Sequence, residues 1–183
     1  EGTTALRIGT MAARRTQWGR ARKQYEIALE SNPSDPCIHI ALAKLLAETG
    51  SPQEALVEYR AAAELDSTAN AAFTGIGEIY LEHFSFAQAI AAFERSVDLA
   101  PDDPKAWQLL AQTYSGIGKY ELAATTLHKA IALAPDEPEQ YHNLGILYQQ
   151  LQAWPEAERA YREALLRNRR QSQSYFNLGY IYL

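Results

Sequence analysis

The sequence predicts an all-α fold, a solenoid of antiparallel helix pairs, and three observations lead to that prediction. An aromatic or small residue is followed three, four and seven residues later by Leu or Ile, by Gly or Ala, and usually by Tyr. This pattern returns every 34 residues, and a second pattern repeats in the other half of each interval. A fixed period of this size indicates a stack of one small unit. Five complete units are predicted at 2–35, 36–69, 70–103, 104–137 and 138–171, and 172–183 is the first helix of a sixth.

The first half of each unit is predicted to be an amphipathic helix. Steps of three and four residues mark one face of a helix, because those positions lie over each other on adjacent turns. The clearest copies begin at Trp107, Tyr141 and Tyr175. Asp35 and Asp103, each followed by a proline, favour a helix start, since Asp accepts from free backbone N–H groups and Pro is tolerated in the first turn.

The second half of each unit is predicted to be a helix that packs closely on the first. Small side chains let two helix backbones approach, and a large side chain four positions later fills the space beside them. Ser51 and Ser85 indicate capping boxes at the start of this helix, and Pro33, Pro101 and Pro135 end it. The small positions are Ala21, Ala55, Ala89, Ala123 and Ala157, and the large ones are Tyr25, Tyr59, Phe93, Leu127 and Tyr161.

The turn between the two helices of a unit has a glycine in two of the units. Gly50 and Gly118 favour a left-handed backbone conformation there, which glycine adopts without steric cost. Thr16, Phe84 and Gln152 stand at the same position in the other units. We expect these three turns to be looser, with the number of helices unchanged.

Over practically its whole length the chain resembles the tetratricopeptide repeat. The family's pattern is Trp-x2-Leu-Gly-x2-Tyr, then Ala-x3-Phe-x2-Ala and a closing Pro. Trp107, Leu110, Ala111 and Tyr114 follow the first part in the fourth unit. The resemblance implies a right-handed superhelix of helical hairpins, whose concave inner face is lined mainly by the first helix of each unit.

Composition agrees with one array over residues 1–183. The sequence has no apolar run near the roughly 20 residues that span a bilayer, and no signal peptide is visible. Cys37 is the single cysteine, so an intrachain disulfide is excluded and the compartment stays open. The chain has no initiator Met, and we expect it to be a fragment of a longer protein.

Charge is distributed unevenly around the net value of −5. The first unit is rich in arginine, whereas the second and third units carry more acidic than basic residues. An acidic middle argues against a nucleic-acid track, which needs positive charge along its length. The basic first unit suits an acidic partner or an anionic membrane, or it is an ordinary solvated surface.

The candidate binding surface lies on the face of each first helix that points away from the core stripe. In the last three units this face carries a row of amides interleaved with apolar and aromatic side chains. An amide offers a donor and an acceptor, which match a peptide bond, while apolar neighbours supply affinity. The alternative is that downstream repeats cover the aromatic residues and that the amides are ordinary surface. The candidate residues are Gln108, Gln112, His142, Asn143, Ile146, Gln149, Gln173, Phe176, Asn177 and Tyr180.

A second candidate patch lies in the second and third units and is acidic. Glu48, Glu78 and Glu82 are predicted to lie on the same face and would favour a basic segment. Ala41 and Gly75 would let a bulky ligand side chain approach the helix backbone. The alternative reading is that these charges only keep the helices solvated.

Two binding modes of the family can be compared with this sequence. Chaperone-binding members hold a C-terminal carboxylate with Lys, Asn, Asn, Lys and Arg, and a clamp of this kind needs fixed positive charge. Chaperone-tail binding is therefore not expected here, because every cation is missing at the corresponding positions. Asn143 and Asn177 resemble two rungs of the asparagine ladder of the nucleocytoplasmic O-linked GlcNAc transferases. The five clamp positions are Gln108, Gln112, Asn143, Gln173 and Asn177 in the last three units.

Nothing in the sequence indicates catalysis, a cofactor or a metal. His39, His83, His128 and His142 lie in different units with no second ligand at a metal-site spacing. We therefore expect a non-catalytic scaffold that binds a peptide or helical segment of a partner protein in its groove. Two alternatives stay open: the substrate-recruiting arm of a larger enzyme, for example a glycosyltransferase, and an array that associates with copies of itself through its open ends.

Overall fold

The computed structural model describes residues 2–182, which form two compact units that meet in sequence between Leu99 and Ala100. In the described residues every regular element is a helix; the first ten helices form five consecutive packed pairs, and the eleventh packs on the tenth. The predicted all-α fold of helix pairs is thus confirmed, while the prediction of one array over residues 1–183 stays a prediction. The first compact unit contains α1 (Gly2–Arg14), α2 (Trp18–Ser31), α3 (Pro36–Glu48), α4 (Pro52–Leu65), α5 (Asn70–Glu82) and α6 (Phe86–Leu99). The second compact unit contains α7 (Pro104–Gly116), α8 (Tyr120–Leu133), α9 (Pro138–Gln150), α10 (Trp154–Arg167) and α11 (Ser172–Ile181).

The helix starts at Pro36 and Pro104 are capped as the sequence predicts. The Asp35 side chain accepts from the backbone N–H of Cys37, and that of Asp103 accepts from the N–H of Lys105. Each of these bonds satisfies one of the four N–H groups that a helix start leaves without a partner.

The capping box predicted at Ser51 is wrong. The Ser51 side chain makes no capping hydrogen bond, and its backbone N–H donates to the carbonyl oxygen of Leu46 at 2.8 Å. The backbone N–H of Ser85 likewise donates to Tyr80, at 2.8 Å. A capping box uses this same N–H group, which is here already bonded to the end of the preceding helix.

The left-handed turn predicted at Gly50 and Gly118 occurs in all five helix pairs of residues 2–182. The two glycines have φ values of +81° and +73°. Thr16, Phe84 and Gln152 adopt φ values of +56° to +57° at the same position, so the turn keeps its shape without glycine. The expectation of looser turns is therefore wrong for the backbone conformation, and these three residues carry the steric cost of the left-handed region.

The core of each pair is a small residue on the first helix under a large one on the second. A Cβ atom at Gly145 would lie 2.5 Å from the ring of Tyr161, and one at Gly77 would lie 2.5 Å from the ring of Phe93. Such distances are far below ordinary contact, so these rings sit directly on the glycine backbone. The small residues of the second helices are completely buried, which brings the two backbones together: Ala21, Ala55, Ala89, Ala123 and Ala157.

In one pair the large side chain also contacts the next pair, and this contact contradicts an expectation about the groove. Ala43 stands at the glycine position of its pair, and the Tyr59 ring also lies against Gly75 of the next pair. Gly75 was expected to leave space for a ligand side chain. That space is occupied by Tyr59 of the chain itself.

Candidate functional site

A cavity of about 360 Å³ in the second compact unit brings together four of the predicted candidate residues, three amides and one isoleucine. Gln108 and Gln112 reach it from α7, and Asn143 and Ile146 reach it from α9. Its apolar floor includes Leu127, which is almost fully buried. The cavity is lined by Gln108, Ala111, Gln112, Ser115, Leu127, Glu139, Asn143, Ile146 and Leu147.

The lining of this cavity carries a single formal charge. Glu139 is the one residue of its lining with a formal charge, and its side chain is exposed. The polar groups around the apolar floor are amides and a hydroxyl, which both donate and accept hydrogen bonds. The cavity is therefore chemically suited to a neutral polar group with an apolar side chain beside it.

Gln149 and Asn177, two further candidate residues, are joined by Tyr161. The Tyr161 hydroxyl donates to Oε1 of Gln149 at 2.8 Å and accepts from Nδ2 of Asn177 at 3.1 Å. Tyr161 is completely buried, and burial raises its pKa to about 12, against a smaller opposing effect of the Asn177 hydrogen bond. The hydroxyl thus keeps its proton at neutral pH and holds both amides in place.

The remaining predicted residues of α11 are exposed. Phe176 is 77% exposed and Tyr180 is 57% exposed, and Gln173 is exposed as well. Tyr180 occupies the same repeat position as Ile146, which lines the cavity. The contribution of these three residues to binding stays a prediction.

His142 was predicted to lie on the binding surface, and the structure corrects this. The residue is 7% exposed, and its Nδ1 lies 2.8 Å from the Oγ of the completely buried Ser174. Its ring packs on Tyr161 with the centroids 5.5 Å apart. Desolvation lowers the pKa of His142, and the charge of Glu139 opposes that shift. His142 therefore contributes to packing between helices and is removed from the candidate surface.

The predicted acidic patch belongs to the first compact unit. Glu48 and Glu82 are exposed, and Glu78 is half-buried. Burial, and after it the charges of Glu78 and Glu48, raise the pKa of Tyr59, so both carboxylates lie near its hydroxyl. A cavity of about 470 Å³ is lined by Glu48 together with residues of α1, α2 and α3 that include Arg14 and Lys44, so Glu48 shares its surroundings with two cations. A preference of the patch for basic segments stays a prediction.

The four histidines make hydrogen bonds within the fold. His39 bonds through Nδ1 to Glu58 at 2.7 Å and through Nε2 to the Pro33 carbonyl at 3.0 Å, and His83 bonds to the Ile79 carbonyl at 2.9 Å. His128 bonds to the Tyr148 hydroxyl at 2.9 Å. Among residues 2–182, no group of three or more His, Cys, Asp or Glu side chains is placed to hold a metal ion. Within the same residues, none of the helices has the length and apolar character needed to cross a bilayer.

Comparison with known proteins decides the family. Two models described as tetratricopeptide repeat match the chain, one at residues 80–145 and the other at 6–72, 41–104 and 142–183. The chain belongs to the tetratricopeptide repeat family. No curated protein matches it.

Solved structures of other tetratricopeptide repeat arrays share the fold. MamA from Desulfovibrio magneticus RS-1, residues 41 to the end, is 22% identical with a TM-score of 0.84, covering 93% of this chain and 96% of that one. YrrB, described as a TPR protein with an unusual peptide-binding site, is 23% identical with a TM-score of 0.78, covering 86% and 81%. PilF from Pseudomonas aeruginosa is 19% identical with a TM-score of 0.87, covering 99% and 84%. At these identities the likeness shows the fold.

The sequence predicts a packing role alone for Tyr161, whereas in the structure its hydroxyl also bonds to two candidate residues. The tetratricopeptide repeat pattern has Phe at this position, and a tyrosine there adds a hydroxyl that needs a partner when it is buried. That departure from the pattern was the available signal. The helical periodicity of α10 could not show it, because it does not say where the far end of a buried ring emerges.

Proposed function

We propose that this chain is a non-catalytic interaction scaffold that binds an extended peptide segment of a partner protein across α7 and α9. The observation that carries the proposal is the cavity in which Gln108, Gln112 and Asn143 surround an apolar floor. Each of these amides can donate to a peptide carbonyl and accept from a peptide N–H, and the floor can bury one apolar side chain. The site supports a neutral stretch of peptide, since Glu139 is the one formal charge on its lining.

The family and one structural relative support this proposal independently of the cavity. The tetratricopeptide repeat builds a binding surface by stacking helix pairs. YrrB, whose structure has the same fold, is described as having an unusual peptide-binding site. Peptide recognition by helical surfaces depends on side chains in pockets for specificity and on buried apolar area for affinity.

The proposal is tested with a random peptide library displayed on phage and selected against the full chain. The tightest peptide is synthesised with a fluorescent label, and its affinity is measured by fluorescence anisotropy. The double variant Gln112→Ala/Asn143→Ala is expected to bind about tenfold to hundredfold more weakly, because two lost hydrogen-bonding side chains contribute about 1–3 kcal/mol together.

The matched control is Gln53→Ala/Gln88→Ala. Both glutamines are exposed, and neither lines the cavity. The control is expected to bind like the wild type, and circular dichroism should show the same helix content in both variants. Selection of no peptide, or equal affinity of the wild type and Gln112→Ala/Asn143→Ala, would refute the proposal.

A further inference from the structure

A buried tyrosine hydroxyl lies at the point where α9 and α11 present two amides. The ring of Tyr161 is fixed, because it rests on the Gly145 backbone and packs against His142. Its oxygen therefore has a defined position. Gln149 and Asn177 are both within hydrogen-bond distance of it, and both are half-buried.

The single proton of the phenol sets the direction of both amides. The hydroxyl donates to Oε1 of Gln149, so the Nε2 group of Gln149 keeps its two N–H donors for other partners. Asn177 donates to the hydroxyl through Nδ2, so its Oδ1 remains as an acceptor. Burial raises the pKa of Tyr161 to about 12, so this arrangement persists across the neutral pH range.

We propose that Tyr161 is a positioning residue that orients Gln149 as a donor and Asn177 as an acceptor, so that the pair recognises one amide group of the bound segment. The Nε2 group of Gln149 donates to the carbonyl oxygen of that amide, and Oδ1 of Asn177 accepts from its N–H. This inference rests on the proposed function, because it assumes a peptide ligand. It adds that the ligand is recognised at this point through an amide, which comes either from its backbone or from an Asn or Gln side chain.

The other tyrosines at the same repeat position have different surroundings. The Tyr25 hydroxyl lies 3.5 Å from Oγ1 of Thr10, at the limit of a hydrogen bond. Tyr59 lies close to the carboxylates of Glu48 and Glu78. Only Tyr161, among the tyrosines of this position in residues 2–182, is bonded to two amides. Tyr25→Phe is therefore a matched control, since it removes a hydroxyl at the equivalent position.

The experiment combines Tyr161→Phe with chemical change of the ligand. The probe is the synthetic form of the tightest phage-selected peptide, prepared as a series with one backbone amide N-methylated at a time, and with each Asn or Gln replaced by Ala. Wild-type protein is expected to lose about tenfold in affinity at one position of one of the two series, because that change removes one hydrogen bond. A sensitive N-methyl position identifies a backbone amide, and a sensitive Ala position identifies a side-chain amide.

Tyr161→Phe should bind the unmodified peptide about tenfold more weakly. The penalty, by which we mean the loss of affinity caused by changing the sensitive position of the peptide, should largely disappear in this variant. Tyr25→Phe should keep both the affinity and the penalty. A purely structural role of Tyr161 would lower the melting temperature and leave the penalty intact, and that result would overturn the inference. Asn177→Leu provides an independent variant on a half-buried position and should also remove the penalty.

The two proposals fail in distinguishable ways. The inference about Tyr161 would be refuted, and the proposed function would stand, if Gln112→Ala/Asn143→Ala binds weakly while the penalty is unchanged in Tyr161→Phe and Asn177→Leu. Unchanged binding by all of these variants would refute both.

Discussion

Replacing Gly145 by alanine tests the close approach of α9 and α10 most directly. The added Cβ would lie 2.5, 2.6 and 2.8 Å from three carbon atoms of the Tyr161 ring. The ring is completely buried and its hydroxyl is hydrogen-bonded at the far end, so it has little room to move away. Overpacking of this kind costs about 3 kcal/mol, and alanine returns about 1 kcal/mol of helix propensity, so we expect a net loss of about 2 kcal/mol.

The measurement is urea unfolding followed by circular dichroism, with Gly179→Ala as the matched control. Gly179 occupies the same repeat position in α11, and a Cβ there would have no atom within 4 Å. The control should therefore be neutral or gain up to about 1 kcal/mol. Equal stability of the two variants would refute the argument that the Tyr161 ring rests on the Gly145 backbone.

The chain itself suggests a compensating substitution. In the preceding pair, Ala111 stands where Gly145 would be, and Leu127 stands where Tyr161 would be; both are buried. Gly145→Ala/Tyr161→Leu copies that combination. We expect the double variant to be more stable than the two single changes would give if their effects were independent, and a coupling energy near zero would contradict the steric explanation.

Two further predictions concern a turn and a buried base. Gln152→Gly should stabilise the chain by about 0.5–1 kcal/mol in urea unfolding, because relief of the left-handed conformation exceeds the added backbone entropy of glycine; a loss of stability would contradict this. His142 has a lowered pKa in the folded state, so the unfolded state binds more protons below the unfolded value of 6.5. Its contribution to stability is therefore present above pH 6.5 and is lost as the pH falls through the lower folded pKa. Melting temperatures between about pH 8 and pH 5 should fall less for His142→Gln than for the wild type, and parallel curves would contradict the assignment.

The fold could be predicted from the sequence because each repeat position has one steric requirement that is met again in every unit. The repeat position of Ala123 is alanine in all five units, because any larger side chain would separate the two helices. The starts at Pro36 and Pro104 could be located because Asp and Pro act within a few residues along the chain. Local chemistry and short-range packing are the parts of the structure that such a pattern records.

The candidate site could be predicted only in part, because a helical periodicity describes one helix at a time. His142 points away from the core stripe of α9, yet Ser174 of α11 and the Tyr161 ring cover it. Gly75 is a small residue on a predicted surface, yet Tyr59 from another helix occupies the space above it. In a stack of helices a first helix has more than one buried face, and the second buried face depends on the neighbouring pair.

The position of Tyr161 shows how a repeat can keep its packing while its surface changes. The same position is Tyr59 in the first compact unit, where the charges of Glu78 and Glu48 act on the hydroxyl, and Tyr161 in the second, where the hydroxyl bonds to two amides. Phe93 and Leu127 fill the position without a hydroxyl. Since the inner part of each side chain satisfies the packing requirement, the outer end is free to vary. The period therefore determines the helices, and the atoms at the tip of this one side chain determine which polar groups are oriented at the surface beside it.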